Sequence, residues 1–233
     1  AARRHWYRSR RHPPLPPGRY DHRCRAARQR HDGTVGCAFR SRRHDYCSPA
    51  CRVMRETLRA QLEAYGEAWP EEQAVVARFL ALLASRQDCA TRGCTDPGHL
   101  TGSAWILAPE GDAALLTHHR KLNLWVQLGG HADGELDLLS VAQREGLEES
   151  GLPSLEPLTL APFDLDIHRI PARGSEPAHE HFDVRFAFRA PSRAVVVSDE
   201  SHDLAWVALN RMGEVTTEAS IARMVRKTPS LLP

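Results

Sequence analysis

The chain has 233 residues, 42% of them hydrophobic and 26% charged, a composition that supports a folded core rather than a wholly disordered protein. No run of about 18 apolar residues occurs, which excludes a membrane-spanning helix. The formal charge of +2 conceals an asymmetry: residues 1–50 hold thirteen arginines and three aspartates, or +10, whereas residues 51–233 hold 18 basic and 26 acidic residues, or −8.

The N-terminal residues 1–53 lack apolar periodicity and are rich in Arg, His and Pro, so we interpret them as a disordered tail. Their charge would also suit a basic arm that binds nucleic acid, or a transit peptide. Because Met54 is the first methionine and patterned sequence begins there, we favour the hypothesis that this tail is not native translation. The −8 charge of the remainder disfavours nucleic acid as a partner. No secretory signal is evident either, and we expect a cytoplasmic protein.

Helical spacing of apolar residues predicts a helical hairpin within residues 54–99, followed by a linker rich in turn-forming residues. Residues 100–233 then read as the main domain. Its predicted strands are 103–108, 113–119, 122–128, 163–170, 181–188 and 202–209. Helices are predicted at about 137–149 and at 216–227. Strands that enclose a helix, followed by more strands and a last helix, predict an α/β/α sandwich around a mixed sheet.

The first predicted helix of the main domain carries Glu145, Glu148 and Glu149 within about 100° of one face. Carboxylates at these spacings repel one another, and they occupy the last turn before Gly151, where the helix dipole disfavours anions. An exposed acidic face would be the ordinary explanation. Here the charges work against the helix, so a bound cation explains them better. Oxygen ligands on a rigid helix suit Mg²⁺ or Mn²⁺.

Residues 130–152, GHADGELDLLSVAQREGLEESGL, resemble the Nudix box, G-x5-E-x7-R-E-U-x-E-E-x-G-U, in which U is a bulky aliphatic residue. The residues that match the pattern at its spacing are Gly130, Arg144, Glu145, Glu148, Glu149, Gly151 and Leu152. Two positions depart from it. Leu136 replaces the first glutamate, although Glu135 is adjacent, and Gly146 replaces an aliphatic residue. The resemblance extends over roughly residues 100–212.

This resemblance implies a Nudix hydrolase, which uses a divalent metal to hydrolyse a nucleoside diphosphate linked to another group. It implies that Glu145, Glu148 and Glu149 hold Mg²⁺ or Mn²⁺ and that Arg144 orients a glutamate. Glu148 or Glu149 would also serve as the catalytic base, without a distinction between them. The expected partner is a small-molecule diphosphate. The alternative is a Nudix-fold protein that binds or senses its ligand without hydrolysis. The sequence indicates neither the substrate nor the oligomeric state.

The two predicted strands after the acidic helix alternate polar and apolar residues, and as a hairpin they would place their polar residues on one surface. Within that surface, Arg185 is the best candidate for a phosphate ligand, and Asp183 is a further substrate-binding candidate. Gly130 and His131 begin the Nudix box and are also substrate-binding candidates, although His131 could simply shape its loop. The pair His179 and His181 forms an H-x-H motif, which is weak evidence for zinc without further ligands nearby.

Overall fold

The computed structural model describes residues 48–119, 123–197 and 201–232, so the predictions made for residues 1–47 lie outside the described residues. Residues 47–233 form one compact unit. The first helix begins at Pro49, where the Ser48 hydroxyl accepts a hydrogen bond from the Cys51 amide. This capped helix already includes residues 49–53, which precede the predicted start of the helical hairpin at residue 54.

The secondary structure alternates between helices and strands as the apolar patterns predict. The helices are α1 (Pro49–Ala68), α2 (Gln73–Ser85), α3 (Leu138–Ser150) and α4 (Ala219–Lys227). The strands are β1 (Gly98–Leu107), β2 (Ala113–His119), β3 (Leu124–Val126), β4 (Leu128–His131), β5 (Glu156–Pro157), β6 (Asp164–Ile170), β7 (His179–Arg189) and β8 (Ser201–Ala208). Short 3₁₀ segments lie at Pro70–Glu72, Leu209–Glu214 and Thr228–Leu231. No helix among these is long and apolar enough to cross a membrane.

The sheet is mixed. Strands β1 and β7 run parallel over their whole length, whereas β6 pairs antiparallel with β7 as the predicted hairpin. On its other side β1 pairs antiparallel with β2 at one end and with β4 at the other. Strand β2 in turn pairs antiparallel with β3 and with β8. The central β1–β7 pair therefore brings together residues about 80 positions apart in sequence.

Alternate residues of β1 enter two separate hydrophobic clusters. Ala104 and Ile106 pack with apolar residues of α1, α2 and α3, whereas Trp105 and Leu107 pack with α4. Because successive strand residues point to opposite faces of a sheet, these clusters cover the two sheet faces. The predicted α/β/α sandwich with a mixed sheet is confirmed.

The helical hairpin shares the core of the sheet. Phe79 of α2 meets Phe182 of β7 edge to face, with 5.3 Å between ring centroids. Arg55 of α1 donates to the Leu83 and Gln87 carbonyls at 2.8 Å each, which satisfies acceptors at the C-terminal end of α2. The hairpin was predicted correctly as a pair of helices, and it packs directly on the domain that follows.

Two strand predictions were wrong in detail. Strand β1 begins at Gly98 rather than residue 103, because its glycine- and polar-rich start is held by parallel pairing with β7 rather than by apolar alternation. The single strand predicted at 122–128 is two strands, β3 and β4, separated by Gln127. Strand β3 pairs with β2 and β4 with β1, so the chain changes partners at Gln127.

Candidate functional site

Helix α3 holds its three glutamates at different depths. Glu149 is buried, the Glu145 side chain is 18% exposed, and Glu148 is exposed. The helix begins at Asp137, whose carboxylate accepts from the Ser140 amide. It ends at Gly151, which has a left-handed φ of 66°. The carboxylates therefore lie in the last two turns, at the negative end of the helix dipole.

The glycine pair of β4 lies directly against these glutamates. The Gly129 amide donates a hydrogen bond of 3.2 Å to Glu149 Oε2. A Cβ on Gly130 would stand 2.3 Å from Glu145 Oε2, and one on Gly129 would stand 2.2 Å from the hydroxyl of Ser103. A side chain at position 129 would displace β4 from Ser103 of β1, and a side chain at position 130 would require the Glu145 carboxylate to move. The start of the Nudix box thus packs on its acidic end.

Arg144 contacts the neighbouring glutamate. Its Nη1 lies 3.1 Å from Glu145 Oε1, and its side chain is 40% exposed. The predicted orienting role of Arg144 fits this pairing and stays a prediction.

The two departures from the Nudix pattern have structural explanations. Leu136 packs against the hydrophobic cluster that contains Ala104 and Ile106, whereas the adjacent Glu135 is exposed. Gly146 lies on the buried side of α3, where a Cβ would be 2.8 Å from Leu155 Cδ1 and 3.0 Å from Ala104 Cβ. In this chain Leu155 occupies the space that an aliphatic side chain at position 146 would need.

Asp183 is buried at the centre of the polar sheet face. Its carboxylate accepts hydrogen bonds from the hydroxyls of Thr101 at 2.9 Å and Ser103 at 2.7 Å. It also accepts from Gln127 Nε2 at 3.1 Å and from Arg185 Nε at 2.8 Å. Four donors occupy this carboxylate, so the structure does not present the predicted substrate-binding Asp183 to a ligand. It organises the neighbouring side chains instead.

Arg185, the predicted phosphate ligand, is also buried, with only 2% of its surface exposed. Its guanidinium contacts Asp183 at 2.8 Å and both Asp164 and Asp166 at 3.2 Å. Burial alone lowers the pKa of Arg185, but these three carboxylates outweigh it and raise that pKa. The predicted phosphate-binding role conflicts with this geometry, because the donors of the guanidinium are directed at protein carboxylates.

The same ionic network joins helix α4 to the hairpin. Arg223 makes two hydrogen bonds of 2.8 Å to Asp164, and Lys227 Nζ lies 2.8 Å from that carboxylate. Lys227 also pairs with Glu72 at 2.5 Å and stands 4.5 Å above the ring centroid of Trp69. The network is therefore a structural connection between the sheet, α4 and the hairpin.

Five histidines lie together beyond this network, on the same face of the sheet. They are His99, His131, His168, His179 and His181, with neighbouring ring centroids 4.9–5.4 Å apart. Burial lowers the pKa of His131 to about 4 and that of His181 to about 2, and it also lowers the pKa of His99. These three rings are consequently uncharged at neutral pH. His131 follows Gly130 directly in β4.

Sequence reasoning missed the polar partners that come from β1, namely His99, Thr101 and Ser103. The parallel register places His99 opposite His181, Thr101 opposite Asp183 and Ser103 opposite Arg185. The available signal was the alternation of polar residues at 99, 101 and 103, which matches the alternation at 181, 183 and 185. Without knowledge of the pairing, that alternation looks like part of a loop.

Comparisons with known proteins place this region in one family. A family model described as NUDIX domain matches residues 99–227. No curated protein matches the sequence significantly.

Several solved structures are similar to the chain at low identity. An Ap4A hydrolase from C. elegans is 19% identical, with 57% of this chain and 96% of that chain covered and a TM-score of 0.40. The dihydroneopterin triphosphate pyrophosphohydrolase of E. coli is 15% identical, with coverages of 55% and 92% and a TM-score of 0.44. The NUDIX domain of Shewanella oneidensis NrtR, complexed with ADP ribose, is 17% identical, with coverages of 66% and 98% and a TM-score of 0.42. Likeness at this level carries no information about substrate.

Proposed function

Since the chain belongs to the NUDIX family, we propose that it hydrolyses the diphosphate bond of a nucleoside diphosphate linked to another group, with Mg²⁺ or Mn²⁺ as cofactor. The observation that carries this proposal is the R-E-x-x-E-E sequence of residues 144–149 at the negative end of α3, packed on Gly129 and Gly130. Carboxylates in that position destabilise the helix by themselves and are stabilised by a cation.

The residues present suit a small, hard divalent cation. Glu145, Glu148 and Glu149 offer oxygen ligands only, which favours Mg²⁺ or Mn²⁺ over softer metals. The absence of a side chain at Gly130 lets the Glu145 carboxylate lie directly against the backbone of β4. Bound at these carboxylates, the cation would neutralise diphosphate charge and lower the pKa of a water molecule.

The chain's own groups divide the remaining tasks. The Gly129 amide fixes one oxygen of Glu149, and Arg144 holds Glu145. Glu148 is exposed and Glu149 buried, and one of them accepts the proton of the attacking water. Gly130 and His131 contact the substrate. Gly130 has no side chain and lets the substrate approach the backbone, and the neutral ring of His131 can hydrogen-bond phosphate oxygens.

Asp183 and Arg185 contribute to this function indirectly. Asp183 holds Ser103, and Ser103 packs on Gly129, which in turn holds Glu149. Arg185 compensates the buried charge of Asp183. We therefore assign both residues to the support of the site rather than to contact with the substrate. The cytoplasmic location stays a prediction.

The experiment is a panel of diphosphate substrates assayed with Mg²⁺ or with Mn²⁺, and with a chelator as the blank. The panel contains nucleotide sugars, dinucleoside polyphosphates, oxidised nucleoside triphosphates and non-nucleotide diphosphates. The wild type is compared with Glu149→Gln, which keeps the shape of the side chain. We expect at least one substrate to be hydrolysed by the wild type in the presence of metal, with turnover largely lost in the variant.

Two results would contradict the proposal. One is the absence of hydrolysis of every compound in the panel, and the other is a Glu149→Gln variant as active as the wild type. Tight binding of a panel compound without turnover would instead indicate the ligand-binding alternative within the family.

A further inference from the structure

We propose that His99, His179 and His181 form a second metal site, selective for a transition metal of the Zn²⁺ class and separate from the glutamates of α3. One nitrogen from each ring can be chosen so that all three lie within 4.8 Å of one another. The parallel pairing of β1 and β7 sets His99 opposite His181, and His179 follows two residues away on the same face. The proposal does not depend on the hydrolase activity.

The hydrogen bonds of two rings determine which nitrogen carries a lone pair. His99 Nδ1 lies 3.1 Å from the Cys94 carbonyl, and His179 Nδ1 lies 2.9 Å from the Pro177 carbonyl. A carbonyl can only accept, so each Nδ1 carries the proton and each Nε2 carries a lone pair. Metal-binding histidines usually have this arrangement, in which a backbone carbonyl holds the far nitrogen and orients the ring.

Both of these Nε2 atoms are buried without a hydrogen-bond partner. His99 is fully buried and His179 is 3% exposed. Glu176 Oε1 lies 3.9 Å from His179 Nε2, which is too far for a hydrogen bond. Buried polar atoms nearly always have a hydrogen-bond partner. Two buried nitrogen lone pairs without such a partner in one cluster therefore indicate a bound ion that both nitrogens coordinate.

The three imidazole nitrogens favour some metal ions over others. Neutral imidazole suits Zn²⁺, Cu²⁺, Ni²⁺ and Fe²⁺, whereas Mg²⁺ prefers oxygen. Nitrogen ligands at about 2.0–2.1 Å from a tetrahedral ion lie roughly 3.4 Å from one another. The ring nitrogens would therefore move closer together by about 1 Å when the ion binds. Three protein ligands leave the fourth position to water, and the ring centroid of His131 lies 5.2 Å from that of His99 and 5.0 Å from that of His181.

The test uses Co²⁺ as a spectroscopic substitute for Zn²⁺ in the full chain, with excess Mg²⁺ present to occupy the oxygen sites. His179→Gln and His181→Gln remove one ligand each, and His118→Gln replaces a histidine that stacks on Trp125 outside the cluster. Residues 1–47 are identical in the wild type and in every variant, so their cysteines and histidines contribute equally. Glu149→Gln provides a further control, because it alters the other metal site alone.

We expect one Co²⁺ per chain with the absorption of a four-coordinate, nitrogen-bound ion in the wild type, His118→Gln and Glu149→Gln. His179→Gln and His181→Gln should bind at least about 100-fold more weakly, since even loss of an outer-shell partner costs 10–100-fold. X-ray absorption of the Zn²⁺-loaded wild type should show three or more imidazole ligands, a measurement that does not require the variants to fold. The proposal is overturned if the wild type binds no Co²⁺ in excess Mg²⁺, if both ligand variants bind as the wild type does, or if fewer than three imidazoles surround the zinc.

Discussion

Two groups of carboxylates in this protein differ in how their charge is balanced. Asp164, Asp166 and Asp183 lie on the sheet with Arg185 among them, and their oxygens are 2.8–3.2 Å from its nitrogens. Arg223 and Lys227 add further cations to that group. The glutamates of α3 instead lie at the negative end of a helix, and they range from buried to exposed.

The aspartates on the sheet form a structural cluster, whereas the glutamates of α3 form a candidate catalytic cluster. The aspartates have Arg185, Arg223 and Lys227 as cationic partners. Among the glutamates, Glu148 is exposed to solution and the Glu145 side chain is 18% exposed. A sequence alone shows acidic residues in both places. Their surroundings support the proposal that the glutamates, rather than the aspartates, bind a cation.

The largest expected effect is on turnover. Glu145→Gln, Glu148→Gln and Glu149→Gln should each lower the rate of diphosphate hydrolysis, and for the residue that acts as base the loss should be about 10²–10⁴-fold. Glu135→Gln is the matched control, because Glu135 is exposed and outside the three-glutamate set. Equal losses in the control and in the α3 variants would remove the distinction between these glutamates and ordinary surface carboxylates.

The second expected effect is on stability. Arg185→Met leaves Asp164, Asp166 and Asp183 without their shared buried cation, so the free energy of unfolding should fall by about 3–5 kcal/mol. Arg211→Met removes an arginine that pairs with Glu214 on the surface and should leave stability nearly unchanged. Denaturant unfolding measures both. A stable Arg185→Met protein that has lost its activity would reverse the assignment and return Arg185 to the active site.

A smaller effect tests the packing of the acidic helix. Gly146→Leu restores the aliphatic residue of the Nudix pattern, but its side chain would meet Leu155 and Ala104. We expect a loss of about 1–3 kcal/mol from overpacking. Adding Leu155→Ala should recover part of that loss, and a double-mutant cycle measures the coupling. Additive effects of the two changes would show that packing against Leu155 is not the reason why glycine occupies position 146.

The histidine cluster predicts a pH dependence in metal-free protein. Unfolded histidines have a pKa of about 6.5, whereas burial holds His131 at about 4 and His181 at about 2. Below pH 6.5 the unfolded state therefore binds more protons, and stability falls as the pH decreases. Each of these histidines should contribute a loss of up to about 2 kcal/mol between pH 7 and pH 5. In His181→Gln the loss over that interval should be smaller, and an unchanged loss would contradict the account.

Much of this fold could be predicted because its strands alternate cleanly and its acidic helix has defined ends. The β6–β7 hairpin, for example, follows from apolar residues at every second position, and α3 from its apolar face and Gly151. The role of Arg185 could not be predicted. It depends on Asp164 and Asp183 approaching from both sides, and on α4 closing over the sheet. These contacts arise from strand pairing over long sequence distances.

The same reason explains why the metal-binding potential of His179 and His181 looked weak. Their third partner, His99, is about 80 residues away and joins them only through the parallel pairing of β1 with β7. Motif spacing indicates sites built within one segment, such as the α3 glutamates. It does not indicate sites assembled across a sheet.

The most direct test of the central claim measures turnover and stability of Glu149→Gln together. Glutamine keeps an oxygen for the Gly129 amide and removes a negative charge from the end of α3. The free energy of unfolding in chelator should therefore be unchanged or up to about 1 kcal/mol higher, while metal-dependent hydrolysis falls by about 10²-fold or more. A variant that keeps its turnover but loses stability would contradict the account, because Glu149 would then serve the fold rather than the reaction.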